Sequence, residues 1–416
     1  MSAQSAALEA ALAQFEGRYP KTIELSLGRI EAVLDTLGRP QDKLPPTVHV
    51  AGTNGKGSTT AYMRAMAEAA GLNVHVYTSP HLVRFNERIR LAGALVEDEA
   101  LISWLNRVYD AVGDRQITRF EATTATALLA FSEIPADLLL LEVGLGGRFD
   151  ATNVIQPPAL SVITPVDFDH KQFLGSDLAF IAGEKAGIIK PKRPVVSAIQ
   201  ARICGDVIRA QADELRAPLK VLRMEDIEKV PESVALPGTH QRYNAALAGL
   251  AMRTLENPAV SESAIWDGAR NATWPARMQR LADGPLTAMG GGAEVWLDGG
   301  HNPHAATAIA ELLREMGGHT VMVTAMIATK DHGGFFHAFK GTAEAVHTLP
   351  NAPGHAGAEP EALAETARAF LPTAVAHGSL EDALQAAAAR NPDRILICGS
   401  LYLAGEVLEK NNERPA

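Results

Sequence analysis

Short apolar runs alternate with longer stretches of helical spacing through the first half of the chain. The apolar runs occupy 47–51, 74–78, 136–143, 160–166 and 195–199, and each has the length of a buried strand. This alternation predicts a largely parallel sheet with helices on both faces. In sheets of this kind, ligands bind at the carboxyl ends of the strands.

A second alternation begins after the glycine-rich stretch at 289–292. Residues 294–297, 319–327 and 394–398 have the pattern of strands, and 305–316 has that of an amphipathic helix. We therefore expect two domains, 1–281 and 282–416. The predicted fold class is α/β: a P-loop nucleotide-binding parallel-sheet domain followed by a smaller Rossmann-like α/β domain. The length of 416 residues suggests two or three domains, at about 150 residues per domain.

Composition limits the classes of partner. The formal charge of −10, from 38 basic and 48 acidic side chains, argues against a nucleic-acid surface. The apolar runs are shorter than a membrane span, and the N-terminal segment lacks the pattern of a secretory signal. Cys204 and Cys398 lie in apolar segments, as expected for buried free thiols in a reducing cytoplasm. We expect a cytoplasmic protein with small-molecule partners, no nucleic acid and no membrane.

A glycine-rich segment between the first predicted strand and the following helix carries the strongest functional signal. Its glycines let backbone N–H groups approach an anion, its lysine adds a positive charge, and its hydroxyls can bind Mg²⁺ at a helix N-terminus. The segment predicts a site for a nucleoside triphosphate; the alternative is a glycine-rich turn with no ligand. The candidate ATP-binding residues here are Gly52, Thr53, Asn54, Gly55, Lys56, Gly57, Ser58 and Thr59.

This segment departs from the common P-loop at two positions. The pattern G-x-x-x-x-G-K-[ST] requires glycine at position 50 and serine or threonine at position 57. The chain has Val50 and Gly57 instead. The departures point to a variant form of the loop.

Three further polar residues follow predicted strands or lie in a helix-like segment. Glu142 ends the most apolar run, where it can hold Mg²⁺ on a triphosphate or pair with Arg148 in a structural role. His170 follows the run at 160–166, and a lone histidine is more often structural than a metal ligand. Lys185 lies among small and apolar residues, either as a surface lysine or as a buried one with a lowered pKa.

The remaining candidates lie farther along the chain. Asn244 belongs to a polar segment that begins an alanine-rich helix, where it reads a base or caps the helix. Arg277 is suited to a phosphate or to a surface ion pair. Asp298 and His301 join a strand end to a helix start, as in a nucleotide-facing turn or an ordinary capped helix.

Taken together, these segments resemble the folylpolyglutamate synthase and dihydrofolate synthase family, within the larger group of ATP-dependent Mur-type ligases. The resemblance covers nearly the whole chain and rests on the order of eight motifs. The motifs are HVAGTNGKGS from His49, YTSPHLVRFNERIRLAG from Tyr77, LEVGLGGRFDATN from Leu141, DH at Asp169, EKAGIIKP from Glu184, HQRYNAALA from His240, LDGGHNPHA from Leu297 and GSLYLAGEV from Gly399.

The resemblance implies roles for the residues near the cradle. Lys56 would contact the terminal phosphates of ATP. Ser79, Glu142 and His170 match the family's magnesium ligands, and Lys185 matches a lysine that CO₂ can carboxylate to hold a second Mg²⁺. Lys56, Lys185 and His170 are thereby the expected catalytic residues, with ATP and Mg²⁺, in two sites, as cofactors.

The resemblance also implies contacts for ATP and for the pterin. The positions expected around ATP are Asn244, Arg277, Asp298 and His301. The positions expected around dihydropteroate are Thr118, Phe120, Asp150 and Ala151, with a structural role in lining a cleft as the alternative. Near Lys330 and Asp331, Thr329 stands where the family usually has an acid, so the role of that loop stays open.

The implied activity is the addition of L-glutamate to 7,8-dihydropteroate and to tetrahydrofolate polyglutamates through an acyl phosphate. The C-terminal domain would act as the glutamate-ligase domain and close over ATP, in a protein that works as a monomer. Two rival functions stay open at this point. One is a Mur-type ligase acting on a cell-wall precursor, and the other is a nucleotide-dependent switch that forms no amide.

Overall fold

The computed structural model describes residues 3–20, 26–169, 171–352 and 356–415, which form two compact units. By packing, the second unit begins at Thr273 and also takes in two short earlier segments, so the functional boundary expected near 282 stays a prediction. The first unit comprises Met1–Pro80, Asn86–Val234 and Tyr243–Ala272, and the second comprises His81–Phe85, Ala235–Arg242 and Thr273–Ala416.

The first unit is built on an eight-stranded sheet. Its strand order is β4-β3-β2-β5-β1-β6-β7-β8, with β3 and β4 antiparallel at one edge and the other pairs parallel. The strands are β1 (Thr47–Ala51), β2 (Val74–Tyr77), β3 (Ile89–Leu91), β4 (Ala94–Leu95), β5 (Leu138–Glu142), β6 (Leu160–Ile163), β7 (Val195–Ser197) and β8 (Leu219–Val221).

The central strands of this sheet are buried along their whole length. Every residue of β1, β2, β5, β6 and β7 is buried. A parallel sheet covered by helices on both faces has no solvent-facing side, so its strands are near-continuous apolar runs. This is why uninterrupted runs such as Leu138–Glu142 could be recognised in the sequence.

Helices connect the strands in both units. The α-helices are α1 (Ala3–Ala13), α2 (Gly28–Thr36), α3 (Lys56–Ala69), α4 (Asp98–Val112), α5 (Arg119–Glu133), α6 (Lys171–Leu174), α7 (Leu178–Ala186), α8 (Arg202–Glu214), α9 (Met224–Glu228), α10 (Thr239–Thr254), α11 (Glu262–Asn271), α12 (Pro303–Met316), α13 (His332–Ala338), α14 (Pro360–Arg368), α15 (Leu380–Ala388) and α16 (Leu401–Lys410). Short 3₁₀ helices span Glu16–Arg18, Pro40–Lys43, Phe85–Arg88, Ala151–Val154 and Thr287–Gly290.

The second unit contains a six-stranded sheet of order β13-β12-β11-β14-β10-β9, parallel except for β9. Alternate residues of its strands supply two apolar cores, one per face. Val321 and Ile395 belong to the core with α15 and α16, whereas Met322 and Leu396 belong to the core with α12, α13 and α14. The strands are β9 (Gln279–Arg280), β10 (Glu294–Leu297), β11 (Thr320–Thr324), β12 (Ala345–Thr348), β13 (Thr373–Ala376) and β14 (Arg394–Cys398).

The predicted α/β class is confirmed, and each apolar run named from the sequence contains a strand. Within the run at 136–143 the strand is Leu138–Glu142, and within the run at 319–327 it is Thr320–Thr324. The two cysteines are free and buried, as expected. Across the described residues, no helix has both the length and the apolar character needed to cross a membrane.

Close packing of two helices in the first unit gives a test of the fold. A Cβ added at Gly268 of α11 would overlap the backbone of Met66 in α3. We expect Gly268→Ala to lower the free energy of unfolding by about 1–3 kcal/mol through overpacking, measured by urea denaturation. As the matched control, Gly205→Ala in α8 has room, with Gln200 Cβ at 3.8 Å, and should stabilise by about 0.5–1 kcal/mol. Equal effects at the two positions would contradict the packing of α11 on α3.

Candidate active site

The predicted site residues that end or follow β2, β5 and β1 lie at the carboxyl edge of the first sheet, where β2, β5, β1 and β6 are adjacent. Ser79 follows β2, Glu142 ends β5, and the glycine-rich cradle follows β1. The register places Val50 of β1 opposite Glu142 of β5. Parallel strands end at one sheet edge, which is how residues far apart in sequence come together.

Two glycines shape the cradle between β1 and α3. Gly52 has φ 151°, and a Cβ there would overlap the hydroxyl of Thr164, which follows β6. Gly55 has φ 83° and is the N-cap of α3; a Cβ there would lie 2.6 Å from Asn244 Oδ1. Side chains at either position would be strained and would collide with neighbours, so the loop requires glycine.

The N-terminus of α3 is suited to an anion. Its N-cap, Gly55, provides no side-chain hydrogen bond to the first turn, so the helix start depends on another partner. Gly57, Ser58 and Thr59 lie buried in that turn. Thr59 Oγ1, like Thr164 Oγ1, is buried with no hydrogen-bond partner among the described residues. Such hydroxyls fit a site completed by a ligand.

The middle of the cradle is tied to the loop after β6. The backbone N–H groups of Thr53 and Asn54 donate to the carbonyl oxygen of Pro165 at 2.9 and 3.3 Å. Thr53 Oγ1 also donates to the carbonyl of Asp167 at 2.8 Å and accepts from its N–H at 3.0 Å. These two N–H groups therefore hold the loop in place, which leaves the anion to the groups that begin α3.

Two lysines meet at one carbonyl oxygen of the cradle. Lys56 Nζ and Lys185 Nζ each donate to Gly52 O at 3.1 Å. Lys185 is buried, with 5% of its surface exposed, which excludes the surface-lysine alternative. Burial, and then the charge of Lys56, lower the pKa of Lys185 to about 7, although nearby carboxylates oppose the shift.

Reciprocal glycine contacts fix the helix that carries Lys185. A Cβ on Gly147 would lie 2.7 Å from the carbonyl oxygen of Glu184, and one on Gly187 would lie 2.5 Å from Arg148 Cβ. Arg148 N–H donates to that same carbonyl at 2.8 Å, and its guanidinium forms an ion pair with the Glu184 carboxylate at 3.4 Å. The LGGRFD segment thereby holds the end of α7 against the sheet edge, and Arg148 has Glu184 as its ion-pair partner.

The proposed metal ligands are only partly described. Glu142 is buried at the end of β5, and Ser79 is half-buried after β2. His170 lies outside the described residues. Within the described residues, no three His, Cys, Asp or Glu side chains form a group able to hold a metal ion. The expected set of Ser79, Glu142, His170 and Lys185 thus stays a prediction.

The pterin candidates lie on α5 and on the turn after β5. Thr118 caps α5 by accepting from Glu121 N–H at 3.1 Å, which is the structural role of a capping box. The half-buried Phe120 ring lies against Gly144, where a Cβ would overlap it. The glycine therefore makes room for the aromatic ring, a relation that periodicity could not reveal.

Asp150 is buried and is engaged in hydrogen bonds within its own turn. Its Oδ2 accepts from Leu145 N–H at 2.8 Å, and its Oδ1 accepts from the N–H and hydroxyl of Thr152 at 3.0 and 2.5 Å. Burial raises the pKa of Asp150 above its usual value, although these donors oppose the shift. Ala151 follows it, buried in a short 3₁₀ helix.

The second unit holds a separate cluster of candidates. Asp298, buried at the end of β10, accepts from Met278 N–H at 2.8 Å and from Gly300 N–H at 2.7 Å. Arg277 Nη1 donates to Ala276 O at 2.8 Å. Ala276 and Met278, on either side of Arg277, have φ values of 53° and 42°. Non-glycine residues adopt such angles at a cost, and they concentrate at functional sites.

The turn after β10 combines a functional candidate with an ordinary cap. His301 Nδ1 lies 2.9 Å from Gly299 O, which assigns the Nδ1–H tautomer. Asn302, rather than Asp298, caps α12 by accepting from Ala305 N–H at 2.9 Å. Asp331 caps α13 in the same way, through Gly334 N–H at 2.9 Å, so this acid of the loop near Thr329 has a structural contact.

Sequence reasoning missed several residues that shape the site. Thr164, Gly144 and Thr152 contact predicted site residues but belong to types common in loops, and no periodic signal marked them. His49 could have been found from the sequence, because a histidine inside the apolar strand Thr47–Ala51 is unusual.

Comparisons with known proteins show what the whole chain is similar to. A family model described as Mur ligase, glutamate ligase domain, matches residues 276–401. The dihydrofolate synthase/folylpolyglutamate synthase of Bacillus subtilis (strain 168) is 37% identical over 345 residues, which are 76% of this chain and 78% of that protein. Among solved structures, E. coli FolC in complex with DHPP and ADP has a TM-score of 0.85 and 31% identity, covering 98% of each chain.

A further structure contains a metal. The bifunctional folylpolyglutamate synthase/dihydrofolate synthase from Yersinia pestis, complexed with AMPPNP and Mn ion, has a TM-score of 0.84 and 29% identity, over 98% of this chain and 99% of that one. The cradle and the matched glutamate ligase domain define an ATP-dependent ligase of the Mur class. The chain belongs to the dihydrofolate synthase/folylpolyglutamate synthase family. A Mur-type ligase for cell-wall precursors is not favoured, since the whole-chain relatives are folate synthases.

The lowered pKa of Lys185 predicts a pH dependence of stability. The pKa is about 7 in the folded protein against 10.5 for a free lysine, so the folded state binds fewer protons between these values. The free energy of unfolding then rises with pH in this window, by up to about 1.4 kcal/mol per pH unit. We expect the wild type to gain about 1–3 kcal/mol relative to Lys185→Met between pH 7 and 9.

The measurement is urea denaturation of both proteins without nucleotide in CO₂-free buffer. Lys220→Met, at an exposed position of β8, controls for the loss of a lysine. A constant difference between the wild type and Lys185→Met from pH 7 to 9 would show that Lys185 is not buried as the structure has it.

Proposed function

We propose that this chain joins L-glutamate to 7,8-dihydropteroate and to tetrahydrofolate polyglutamates, using ATP, through an acyl phosphate. The observation that carries the proposal is the cradle, where two lysines and a helix N-terminus converge beside Glu142 at one sheet edge. Relatives that are folate synthases along most of the chain support the choice of substrates.

The chemistry follows from the poor reactivity of a carboxylate toward amines. A carboxylate oxygen of the folate substrate attacks the γ-phosphorus of ATP, the bond to ADP breaks, and an acyl phosphate forms. The amino group of glutamate then attacks the acyl carbon, loses a proton and expels inorganic phosphate. The products are an amide, ADP and phosphate, so bonds and charges balance.

The residues of the cradle stabilise charge during this transfer. The N–H groups that begin α3 face the phosphates with the positive end of the helix dipole. Lys56 supplies an ammonium group for the terminal phosphates. Without ATP, its hydrogen bond to Gly52 O at 3.1 Å holds it beside the loop. Bound Mg²⁺ would neutralise phosphate charge on the transferring group. Such a site acts mainly by positioning and electrostatic stabilisation.

For the metal we propose Ser79, Glu142 and His170 as ligands of one Mg²⁺, and a carboxylated Lys185 as a ligand of a second. The Lys185 ammonium first loses a proton to solvent; its neutral amine then attacks the carbon of CO₂ and releases a second proton, which leaves an anionic carbamate. Burial and a pKa of about 7 supply the neutral amine at neutral pH. The exchange also removes the repulsion between the two lysines at Gly52 O.

The remaining contacts complete the proposed substrate sites. Asn244, beside Gly55 in the first unit, is proposed to contact ATP, as are three residues of the second unit: Arg277, Asp298 and His301. Thr118, Phe120, Asp150 and Ala151 are proposed to hold the pterin. We propose that the protein acts as a monomer.

Two substitutions test the cradle and the metal position. Lys56→Ala and Glu142→Gln should each lower glutamate-dependent ATP turnover by about 10²-fold or more, because each removes charge stabilisation of the transferring phosphoryl group. The assay contains ATP, Mg²⁺ and glutamate, with dihydropteroate and tetrahydrofolate offered in parallel and products identified by mass. Glu68→Gln, at an exposed position of α3, is the matched control and should retain activity.

Several outcomes of that assay would contradict the proposal. Normal turnover in Lys56→Ala or Glu142→Gln would remove the proposed role of that residue. Wild-type ATP turnover that needs neither a pteroate nor glutamate would indicate a nucleotide-dependent switch instead of a ligase. Thermal melts of each variant separate lost activity from lost folding.

Carboxylation of Lys185 has its own test. Lys185→Ala should lose activity, and a small carboxylate such as acetate should restore part of it by replacing the carbamate. Native protein held under ¹³CO₂ should show a carbamate carbon in its NMR spectrum that the variant lacks. Absence of both the rescue and the carbamate signal would leave Lys185 with a structural role.

A further inference from the structure

A histidine with an unusual environment lies inside the central strand of the first sheet. His49 of β1 is fully buried, and its Nε2 lies 2.9 Å from Thr152 Oγ1. Its Nδ1 is buried and has no hydrogen-bond partner within the described part of the chain. An unsatisfied buried nitrogen is costly, so an apolar residue here would be the cheaper choice for packing alone.

The hydrogen bonds beyond Thr152 fix the direction of each proton. Each oxygen of Asp150 accepts a backbone N–H, from Leu145 at 2.8 Å and from Thr152 at 3.0 Å, and these donors favour the ionised carboxylate although burial raises its pKa. The Thr152 hydroxyl, 2.5 Å from Asp150 Oδ1, must therefore donate its single proton to that oxygen. Its own oxygen is left to accept from His49 Nε2–H.

This chain of bonds explains the unpartnered nitrogen. If His49 carries its proton on Nε2, then Nδ1 has only a lone pair, and no donor among the described residues reaches it. The ring is neutral, because burial and the charge of Lys190 lower the pKa of His49 to about 3. The cost of the unsatisfied Nδ1 is thus tied to one benefit, the donated proton that orients Thr152.

The turn that Asp150 closes also supports the aromatic candidate for the pterin. Asp150 binds Leu145 N–H, and the neighbouring Gly144 is the residue against which the Phe120 ring lies. A change in the orientation of Asp150 would therefore also shift the backbone that lies against Phe120, so that both pterin candidates would be affected. The cradle after β1 is held by other contacts, through Thr53 and the loop after β6.

We propose that His49 is a positioning residue for the pteroyl substrate: through Thr152 it holds Asp150 and the 144–150 turn in the orientation that binds the pterin. This inference rests on the proposed function, in which Asp150 contacts that substrate. His49 itself does not touch substrate, so its removal should weaken binding of the pteroyl group and leave ATP binding unchanged.

The test compares KM values in His49→Leu, His49→Gln and a matched control. His49→Leu should raise the KM for dihydropteroate about threefold to tenfold, as expected for one hydrogen bond, with the KM for ATP unchanged. His49→Gln keeps an N–H donor near the position of Nε2 and should restore most of the loss. The control is His75→Leu: His75 is equally buried, on β2, but bonds to Ile134 O at 2.9 Å and Ala92 N–H at 3.0 Å. The substitution His75→Leu should lower stability without selectively raising the KM for dihydropteroate.

A double-mutant cycle with Thr152→Val tests whether the two residues act as one unit. The KM effects of His49→Leu and Thr152→Val should be strongly non-additive, because either substitution breaks the same chain of bonds. Additive effects would overturn the proposal, as would equal rises in the KM values for dihydropteroate and ATP in His49→Leu. ¹⁵N NMR of the wild type should show the Nε2–H tautomer of His49, and the Nδ1–H tautomer would overturn the proposal even if variants fail to fold.

Asp150→Asn separates this proposal from the proposed function. If Asp150→Asn raises the KM for dihydropteroate and His49→Leu does not, the positioning role is wrong and the substrate site stands. If Asp150→Asn leaves that KM unchanged, the assignment of Asp150 to the pterin fails, and with it the role of His49.

Discussion

The carbonyl oxygen of Gly52 accepts hydrogen bonds from two lysines, Lys56 and Lys185, and the rest of the site depends on this contact. It brings the side-chain nitrogens of two lysines together at the start of α3, where the helix dipole adds further positive character. Like charges at close range in a poorly solvated place repel strongly. An anion, a lost proton or the proposed carboxylation of Lys185 would relieve that repulsion.

The fold provides this contact through close backbone approaches. Gly52 and Gly55 adopt conformations that a side chain would strain, and their neighbours Thr164 and Asn244 fill the space where a side chain would be. On the other side, Gly147 and Gly187 let the 147–148 segment and the end of α7 come together, which sets the position of Lys185. These close backbone contacts thus require glycine, and the backbone around the charged side chains determines where they lie.

Much of the fold could be predicted because its strands are buried on both faces. Such strands are long apolar runs, and the run at 47–51 coincides with β1. Strands with less distinctive sequences were not named: β12 and β13 lie among alanine-rich segments, and β3, β4, β8 and β9 are only two or three residues long. Short edge strands are set by their neighbours rather than by local pattern.

Residue chemistry alone predicted only part of the candidate site, and the proposed metal ligand Ser79 and the pterin contacts came from the family resemblance. Glycines with a lysine, and a carboxylate at a strand end, carry their own signal, and the structure places Lys56, Glu142 and Lys185 at one sheet edge. The supporting residues do not carry such a signal. Thr164 and Gly144 matter for where they lie. The part proposed for His49 follows from the direction of a proton on Thr152, which lies 103 positions away in the chain.

Transfer of oxygen from the folate carboxylate to phosphate is the most direct test of an ATP-driven ligase at this cradle. The measurement uses dihydropteroate with both carboxylate oxygens labelled with ¹⁸O, together with ATP, Mg²⁺ and glutamate, and mass spectrometry of the released phosphate. The account predicts that each phosphate released with amide formation carries one labelled oxygen, because the carboxylate oxygen that attacks the γ-phosphorus leaves with it. Amide formation with unlabelled phosphate, or with the label in AMP, would contradict it.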